Sequence, residues 1–418
     1  MSVLELAMKE EKWWEFLAYK EEKQQISHTE KKKIQDFIER KGYLVIGRQW
    51  EEKRYPATLP VKKTVNKEGT TKKRTVYTYE GDEGIFMKFI AFQLYCFDEV
   101  FCRNCYAFRR GISAGNAIRR LREEKIEGSY CLKVDISNYF NSIDEGRLLD
   151  KLAFVKEKDG SLYELFEKIL SDNRAYAKKE LITEKQGAMA GTPLSPFFAN
   201  VYLKDMDAFF EKEGMLYFRY SDDILLFAKD ELQLQERKEV LYRIIAEEGL
   251  IINQDKERVY MPGEKIDFLG FSIKSGEVDL SESTLRKTKA RIKRKAQALK
   301  RWQIKKGLSG EKAAIGLIRT MNRKFYGKGA SGEDTDNEFS WKRWFFPHLT
   351  SDAGLREIDA YMQQYIRFAV TGRHYKGNYR IRYEQMKEWG YKSLVHEFYE
   401  WKERDKSGSG EFCIGDNE

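Results

Sequence analysis

Apolar residues in 4–42 recur at helical spacing within an otherwise charged stretch, as at Ile34, Phe37 and Ile38, and predict N-terminal helices. The pattern changes over 55–80, where Pro56 and Pro60 punctuate a Thr- and Val-rich stretch and 66–69 separates two alternating runs, the mark of a lysine-laden β-hairpin. A dense apolar helix is predicted over 84–100 and another helix over 116–123, followed by an apolar, β-rich run at 129–136 with Asp135 near its end. Helical pattern continues to 170. A glycine-broken segment, 187–196, then leads into a mostly apolar helix over 197–210. Two apolar runs, 215–220 and 224–228, flank Ser221, Asp222 and Asp223 and read as a hairpin with acids at its turn. An amphipathic helix follows over 232–248, with further short strands at 249–259 and 266–273. From Ser283 to about Lys305 the chain is helical and basic, and helices return at 355–370 and 391–401. The polar, Gly/Ser-rich end, 406–418, reads as a mobile tail.

With 418 residues the chain is too long for one simple core, and several lobes are expected. Its 41% hydrophobic content, with 24 Tyr and 26 Phe, argues for packed cores and against wholesale disorder. The net charge of +9 is modest, but its cations are clustered, as a polyanion-binding protein requires. Five cysteines, an odd number at irregular spacing, argue against a disulfide framework and fit a reducing, cytoplasmic setting. Charges at Lys9, Glu10, Glu11 and Lys12 leave no apolar signal core, and no run is long enough to cross a membrane.

The candidate chemistry lies in carboxylates. Asp135 and the pair Asp222-Asp223 stand where apolar strands meet solvent. Brought together, three carboxylates repel and hold protons unless divalent cations keep them ionised, so such a cluster makes sense as a metal site. Two Mg²⁺ ions, with Mn²⁺ as the alternative, roughly 3.5–4 Å apart, would clamp an attacking 3′-hydroxyl and a leaving pyrophosphate. The Ile136 carbonyl is a plausible further ligand, because hard cations accept such oxygens.

Asp135-Ile136-Ser137-Asn138-Tyr139-Phe140 resembles the first palm motif of reverse transcriptases, and Tyr220-Ser221-Asp222-Asp223 resembles their Tyr-x-Asp-Asp box. Between them, the run from Gly191-Thr192-Pro193-Leu194-Ser195-Pro196 to Asn200-Val201-Tyr202-Leu203 is similar to the second palm motif of bacterial enzymes, retron and group II intron types included. Gly249-Leu250-Ile251-Ile252-Asn253-Gln254-Asp255-Lys256 resembles the next motif, and Phe268-Leu269-Gly270-Phe271 the primer grip. The resemblance implies that Asp135, Asp222 and Asp223 are the metal carboxylates. It places Phe140 at the gate that excludes a ribose 2′-hydroxyl, Gly191 where the backbone approaches the nucleotide, and Lys256 near the leaving pyrophosphate. Ala190 departs from the family, which carries glutamine there, and Gln186 is the nearest substitute. Lys63, Arg74 and Arg109 become the candidate triphosphate cations, Arg109 foremost.

Arg286, Lys287, Lys289, Arg291, Lys293, Arg294 and Lys295 form an acid-free run, while Leu285, Ile292, Ala296, Leu299 and Trp302 define an apolar face. In a right-hand polymerase this amphipathic helix is the thumb, lying against the template-primer duplex through phosphate contacts. Cys102-Arg103-Asn104-Cys105 lacks the second ligand pair that zinc needs and is assigned to structure. The four scattered histidines suggest no nuclease.

The expected fold is therefore α+β: an N-terminal helical segment (1–50), fingers and palm around an antiparallel sheet (51–276), a helical thumb (277–370), a helical C-terminal extension (371–405) and the tail. The expected function is RNA-directed DNA synthesis from dNTPs on an RNA template with a DNA or RNA primer. The compact chain most resembles the stand-alone, defence-associated or abortive-infection enzymes, which implies antiphage defence with a dedicated noncoding RNA. Rival readings are a group II intron-type maturase, a nucleic-acid-binding scaffold without catalysis, and untemplated or protein-primed synthesis.

Overall fold

Trp13 anchors the N-terminal helices. Its ring stacks on Phe89 with centroids 4.1 Å apart and meets Phe37 edge-on at 5.1 Å, while its indole N–H donates to the Ala7 carbonyl at 2.8 Å. Such rings give large apolar burial with one polar handle to satisfy, which is why the helices Val3–Ala7, Glu10–Glu22, His28–Glu39 and Gly42–Glu51 close around helix Gly81–Gln93. The computed structural model describes residues 1–23, 26–52, 59–66, 73–183, 187–327 and 340–406. These fall into two compact units: one runs to Glu264, and the other comprises Ile118–Glu124, residues 26–28 and the chain from Lys265 onward. The predicted tail beyond Lys406, the hairpin turn after Asn66 and Gln186 lie outside the described residues.

The first unit holds two sheets. Strands β1 (Val61–Asn66) and β2 (Lys73–Thr78) form the predicted hairpin, with Lys63 opposite Val76 and Val65 opposite Arg74. Beside β1 lies a hairpin that the pattern did not predict, β3 (Arg174–Ala177) with β4 (Glu180–Thr183). The β1–β3 pairing is parallel, so this sheet is mixed. The β3–β4 turn is made by Lys178 and Lys179, both at positive φ, so it lacks the Asn-Gly type signal that marks such turns in a sequence.

The second sheet is wholly antiparallel. It contains β5 (Tyr130–Asp135), β6 (Tyr217–Tyr220), β7 (Asp223–Ala228) and β8 (Arg258–Tyr260), in the order β6-β7-β5-β8. Apolar residues on β5 and β7, among them Leu132, Val134, Ile224 and Leu226, are fully buried. Helix Glu231–Glu247 packs on this sheet, and Asp230 caps it by accepting from the Gln233 N–H at 2.8 Å. The expected helix over 197–210 is instead two helices, Ser195–Tyr202 and Lys204–Lys212, broken at Leu203. Residues 249–253 are not a strand: only Ile252 bridges to Ile136, and a 3₁₀ turn, Gln254–Lys256, precedes β8. The predicted helix over 84–100 tightens to 3₁₀ geometry from Leu94.

In the second unit, β9 (Ile266–Phe268), β10 (Phe271–Lys274) and β11 (Glu277–Leu280) form a small antiparallel sheet, its first turn made by Leu269 and Gly270, both at positive φ. Ser281 then caps the long basic helix Glu282–Lys305 through the Thr284 N–H. That helix packs on Gly310–Tyr326 and Ala353–Thr371 through Ile292 and Ala296 on its own side. Trp302, expected on the apolar face, is 45% exposed. Helix Leu394–Lys406 completes the unit; the buried Asp359 accepts from the Leu394 and Val395 N–H groups at its start.

Candidate active site

Strand register sets the three acids at one end of the sheet. Asp135 ends β5 directly opposite Asp223, which begins β7, and Tyr220 pairs with Asp223 to close a two-residue turn of Ser221 and Asp222. Ser221 adopts φ +61°, a costly conformation for a side chain with a Cβ, so the turn must be held from outside. Two contacts hold it: the Ile136 N–H donates to the Asp222 carbonyl at 3.2 Å, and Arg219 Nη1 donates to the Ser221 carbonyl at 3.2 Å. On the other side of β5, the Asn253 N–H donates to the Asp135 carbonyl at 2.7 Å and the Ser137 N–H to the Ile251 carbonyl at 2.8 Å. The Ile136 carbonyl takes no part in these bonds.

Burial, with the Asp135 charge second, pushes the Asp222 carboxyl up to about 6. Burial also raises Asp223, opposed chiefly by Lys133, whose Nζ lies 3.6 Å from its carboxylate. Asp135 receives Lys256 Nζ at 2.5 Å and Asn253 Nδ2 at 3.4 Å. Two carboxyls made costly to ionise and a third that has drawn in an ammonium are the electrostatics of a cation site. Among the described residues no group of three or more His, Cys, Asp or Glu side chains is placed to hold a metal ion. Mg²⁺ does not need such a group: it is held by one or two carboxylates with substrate phosphates and water completing the shell, and Asp135 with Asp222 or Asp223 fits that mode.

Beneath the turn lies an ion pair that the sequence did not disclose. Arg219 and Asp207 are both fully buried, joined by Nε–Oδ1 at 2.8 Å and Nη2–Oδ2 at 2.5 Å. Tyr217 donates its hydroxyl to Asp207 at 3.1 Å, and Arg219 Nη2 also reaches the Cys105 sulfur at 3.2 Å, giving the Cys102-Cys105 segment a structural place. The one signal available was an arginine within the otherwise apolar run 215–220.

The rings near the acids form a chain: Phe108 lies 6.3 Å from both Phe140 and Tyr220. Phe140 is half-buried, and its carbonyl accepts from the Ala188 N–H at 2.8 Å. Phe108, 38% exposed and at φ +58°, was passed over in the sequence. The loop that precedes helix Ser195–Tyr202 is pinned by Ser195 Oγ, 2.7 Å from both the Ala188 and Met189 carbonyls. Gly191, at φ +101°, abuts β2: a Cβ there would lie 3.0 Å from the Tyr77 carbonyl and 3.1 Å from Val76 Cβ. Ala190 accepts from the Tyr77 N–H at 2.8 Å.

Among the candidate cations, Lys63 and Arg74 are exposed and share the hairpin face that turns Val76 to Gly191; Lys63 is paired with Glu80 at 2.7 Å. Arg109 is placed differently. Its guanidinium donates to the carbonyls of Cys102 (2.9 Å), Cys105 (3.0 Å) and Asp98 (3.2 Å), which fixes its own loop rather than presenting it to a phosphate. Lys256, expected near a pyrophosphate, sits on Asp135. In the second unit Arg286, Lys287, Lys293 and Arg294 are exposed on the basic helix, Arg291 and Lys295 are partly covered, and Lys289 is paired with Glu357.

Residues 64–273 match the family model for reverse transcriptase (RNA-dependent DNA polymerase). The retron Ec86 reverse transcriptase of Escherichia coli is 23% identical over 189 residues, 44% of this chain and 55% of the relative, so the chain spans about half the length of that curated protein. Among solved structures, telomerase from Candida albicans in complex with the TWJ fragment of telomeric RNA is similar at 16% identity and a TM-score of 0.44, covering 82% of this chain and 66% of that one. Apo telomerase from Candida tropicalis gives 12% identity and 0.44, covering 83% and 73%. The α+β right-hand polymerase fold expected from the motifs is borne out. Since the match takes in half of the residues, and with them the Asp135 strand, the Asp222 turn and the Gly191 loop, the chain belongs to the reverse transcriptase (RNA-dependent DNA polymerase) family.

Proposed function

We propose that this protein is an RNA-directed DNA polymerase that extends a primer 3′-hydroxyl with dNTPs. The observation that carries the reading is the opposition of Asp135 and Asp223 across β5 and β7, with Asp222 on a strained turn between β6 and β7. Asp135, Asp222 and Asp223 would hold two divalent ions, which when bound activate the 3′-hydroxyl and stabilise the leaving pyrophosphate. The chain's own residues prepare that site. Burial makes bare Asp222 and Asp223 anions unfavourable and so sharpens their demand for a cation. Arg219 fixes the turn that aims Asp222, and Lys256 offsets the Asp135 charge. Phe140 excludes a ribose 2′-hydroxyl by bulk, and Gly191 keeps the loop below it close to the lysine-bearing hairpin. Lys63 and Arg74 on that hairpin are the cations assigned to the triphosphate. In this reading the first unit serves as fingers and palm, and the basic helix of the second as a thumb that meets duplex phosphates.

On the resemblance of the palm motifs alone, the reading extends to a dedicated noncoding RNA and a part in antiphage defence. The test is extension of a labelled DNA primer on an RNA template with Mg²⁺ and dNTPs, beside Asp222→Ala and beside NTPs. Extension by the wild type with dNTPs only, lost in the variant, is the expected result. Absence of templated product, with DNA found attached to the protein instead, would sink the templated reading.

A further inference from the structure

Residues 360–383 carry five cations (Arg367, Arg373, Lys376, Arg380, Arg382) and five tyrosines with no acidic residue. The first part ends helix Ala353–Thr371; the rest contains a 3₁₀ turn, Lys376–Arg380, and leads into helix Tyr383–Glu388. Gly372, at φ +82°, terminates the helix, and the buried Asn378 donates its Nδ2 to the Arg373 carbonyl at 2.8 Å and its N–H to the Tyr375 carbonyl at 3.0 Å. Arg367 Nε donates to the Ile381 carbonyl at 3.1 Å. A Cβ on Gly377 would lie 2.4 Å from the Tyr375 ring, so glycine is what lets that ring fold over the loop.

Around these bonds the segment turns its rings and charges outward, and the buried Asn378 Oδ1 is left without a partner among the described residues. Tyr379 is 69% and Tyr375 39% exposed, which is uncommon for large rings held in an ordered loop. Each ring lies against a guanidinium: Arg367 is 5.1 Å from the Tyr379 centroid and Arg373 is 4.9 Å from that of Tyr375. Among the described residues none of the five cations is ion-paired to a carboxylate, whereas Lys151, Lys238 and Lys289 elsewhere are. Lys300 of the basic helix docks on the Val370 carbonyl at 2.9 Å, adding its charge at the border. A merely solvated loop has no need of exposed rings, and a surface that only attracts phosphate has no need of tyrosine.

We propose that the 373–382 surface is a platform for single-stranded RNA, with unpaired bases stacking on Tyr375 and Tyr379 and phosphates meeting the neighbouring cations. A duplex hides the base faces that such rings require. The choice of RNA over DNA rests on the polymerase reading above: the strand presented unpaired is RNA, because the DNA is made already paired to it.

The experiment is anisotropy of a labelled twelve-nucleotide oligoadenylate RNA with the full chain, without metal or dNTPs, comparing wild type with Tyr375→Leu/Tyr379→Leu. The variant is expected to bind the RNA at least about tenfold more weakly. An abasic oligomer of equal phosphate number should bind both proteins alike, and the variant should still extend an annealed primer on its template. In the wild type, 5-iodouridine RNA should crosslink to Tyr375 or Tyr379, a readout that needs no variant to fold. Equal RNA affinities, crosslinks confined to other residues, or equally tight binding of DNA single strands or duplex RNA would overturn the proposal. If no protein extends primers while tyrosine-dependent RNA binding persists, the polymerase reading fails and the platform stands.

Discussion

The guanidinium of Arg219 meets the Asp207 carboxylate with both side chains wholly withdrawn from solvent, and the same guanidinium holds the Ser221 carbonyl at 3.2 Å. Removing one partner leaves a buried charge uncompensated. Arg219→Met or Asp207→Leu alone should cost about 3–5 kcal/mol of stability, and the double change should recover much of it. Primer extension should stay low in the double variant, because the Ser221 turn then keeps only its Ile136 contact. Urea unfolding beside extension assays reads both; full activity in a refolded double variant would remove Arg219 from the positioning role.

Asp222 offers a pH test in the metal-free protein. Its folded pKa of about 6 lies above the ordinary 3.8, so the folded state binds more protons between those values. Stability from this group is therefore present below about pH 4 and is lost as pH rises through 6, a change of roughly 3 kcal/mol. Asp222→Asn should remove that dependence and be more stable than wild type at pH 8, while losing on the order of a thousandfold in extension rate. Thermal unfolding at pH 5 and pH 8, with and without Mg²⁺, measures it; parallel pH profiles for the two proteins would contradict the assignment.

Phe140→Ala should admit ribonucleotides. The ratio of dNTP to NTP incorporation is expected to fall by roughly tenfold or more. An ordinary core aromatic would instead give lower stability with an unchanged ratio, so kcat/KM for matched dATP and ATP separates the two roles.

Gly191→Ala should loosen the β2 contact. A Cβ there would press on the Tyr77 carbonyl, and φ +101° is strained for any side chain, a penalty of about 1–3 kcal/mol. Hydrogen exchange at the Tyr77 amide, which donates to Ala190, should quicken in the variant; unchanged protection would show that the loop absorbs the methyl group.

Most of the regular structure was legible because it follows period. The basic helix was expected from Ser283 to Lys305 and runs Glu282–Lys305, and the acidic hairpin was readable from two apolar runs around Asp222 and Asp223. What escaped was set by distant partners. Arg219 and Asp207 become a pair only when helix Lys204–Lys212 folds onto β6, and no local pattern encodes that. The β3–β4 hairpin hid behind a turn of two lysines, and residues 249–253 carried strand-forming side chains that the sheet uses for one bridge only. Arg109 shows the limit of a motif: its type suited a phosphate, but its loop supplies three carbonyls nearer at hand.

The strand order β6-β7-β5-β8 has a consequence for how the protein is made. The first of these strands to be synthesised, β5, ends up in the middle, and both its neighbours come from far downstream. During translation the apolar segment Cys131-Leu132-Lys133-Val134 waits on the order of ten seconds for β7 to emerge. A nascent chain in that interval exposes two open edges and has no assembled acids, so it is both aggregation-prone and inert. The acids then come together in one step once β7 has emerged, and slow codons or a stalled ribosome between β5 and β7 would reduce the yield of folded protein without touching any residue of the site.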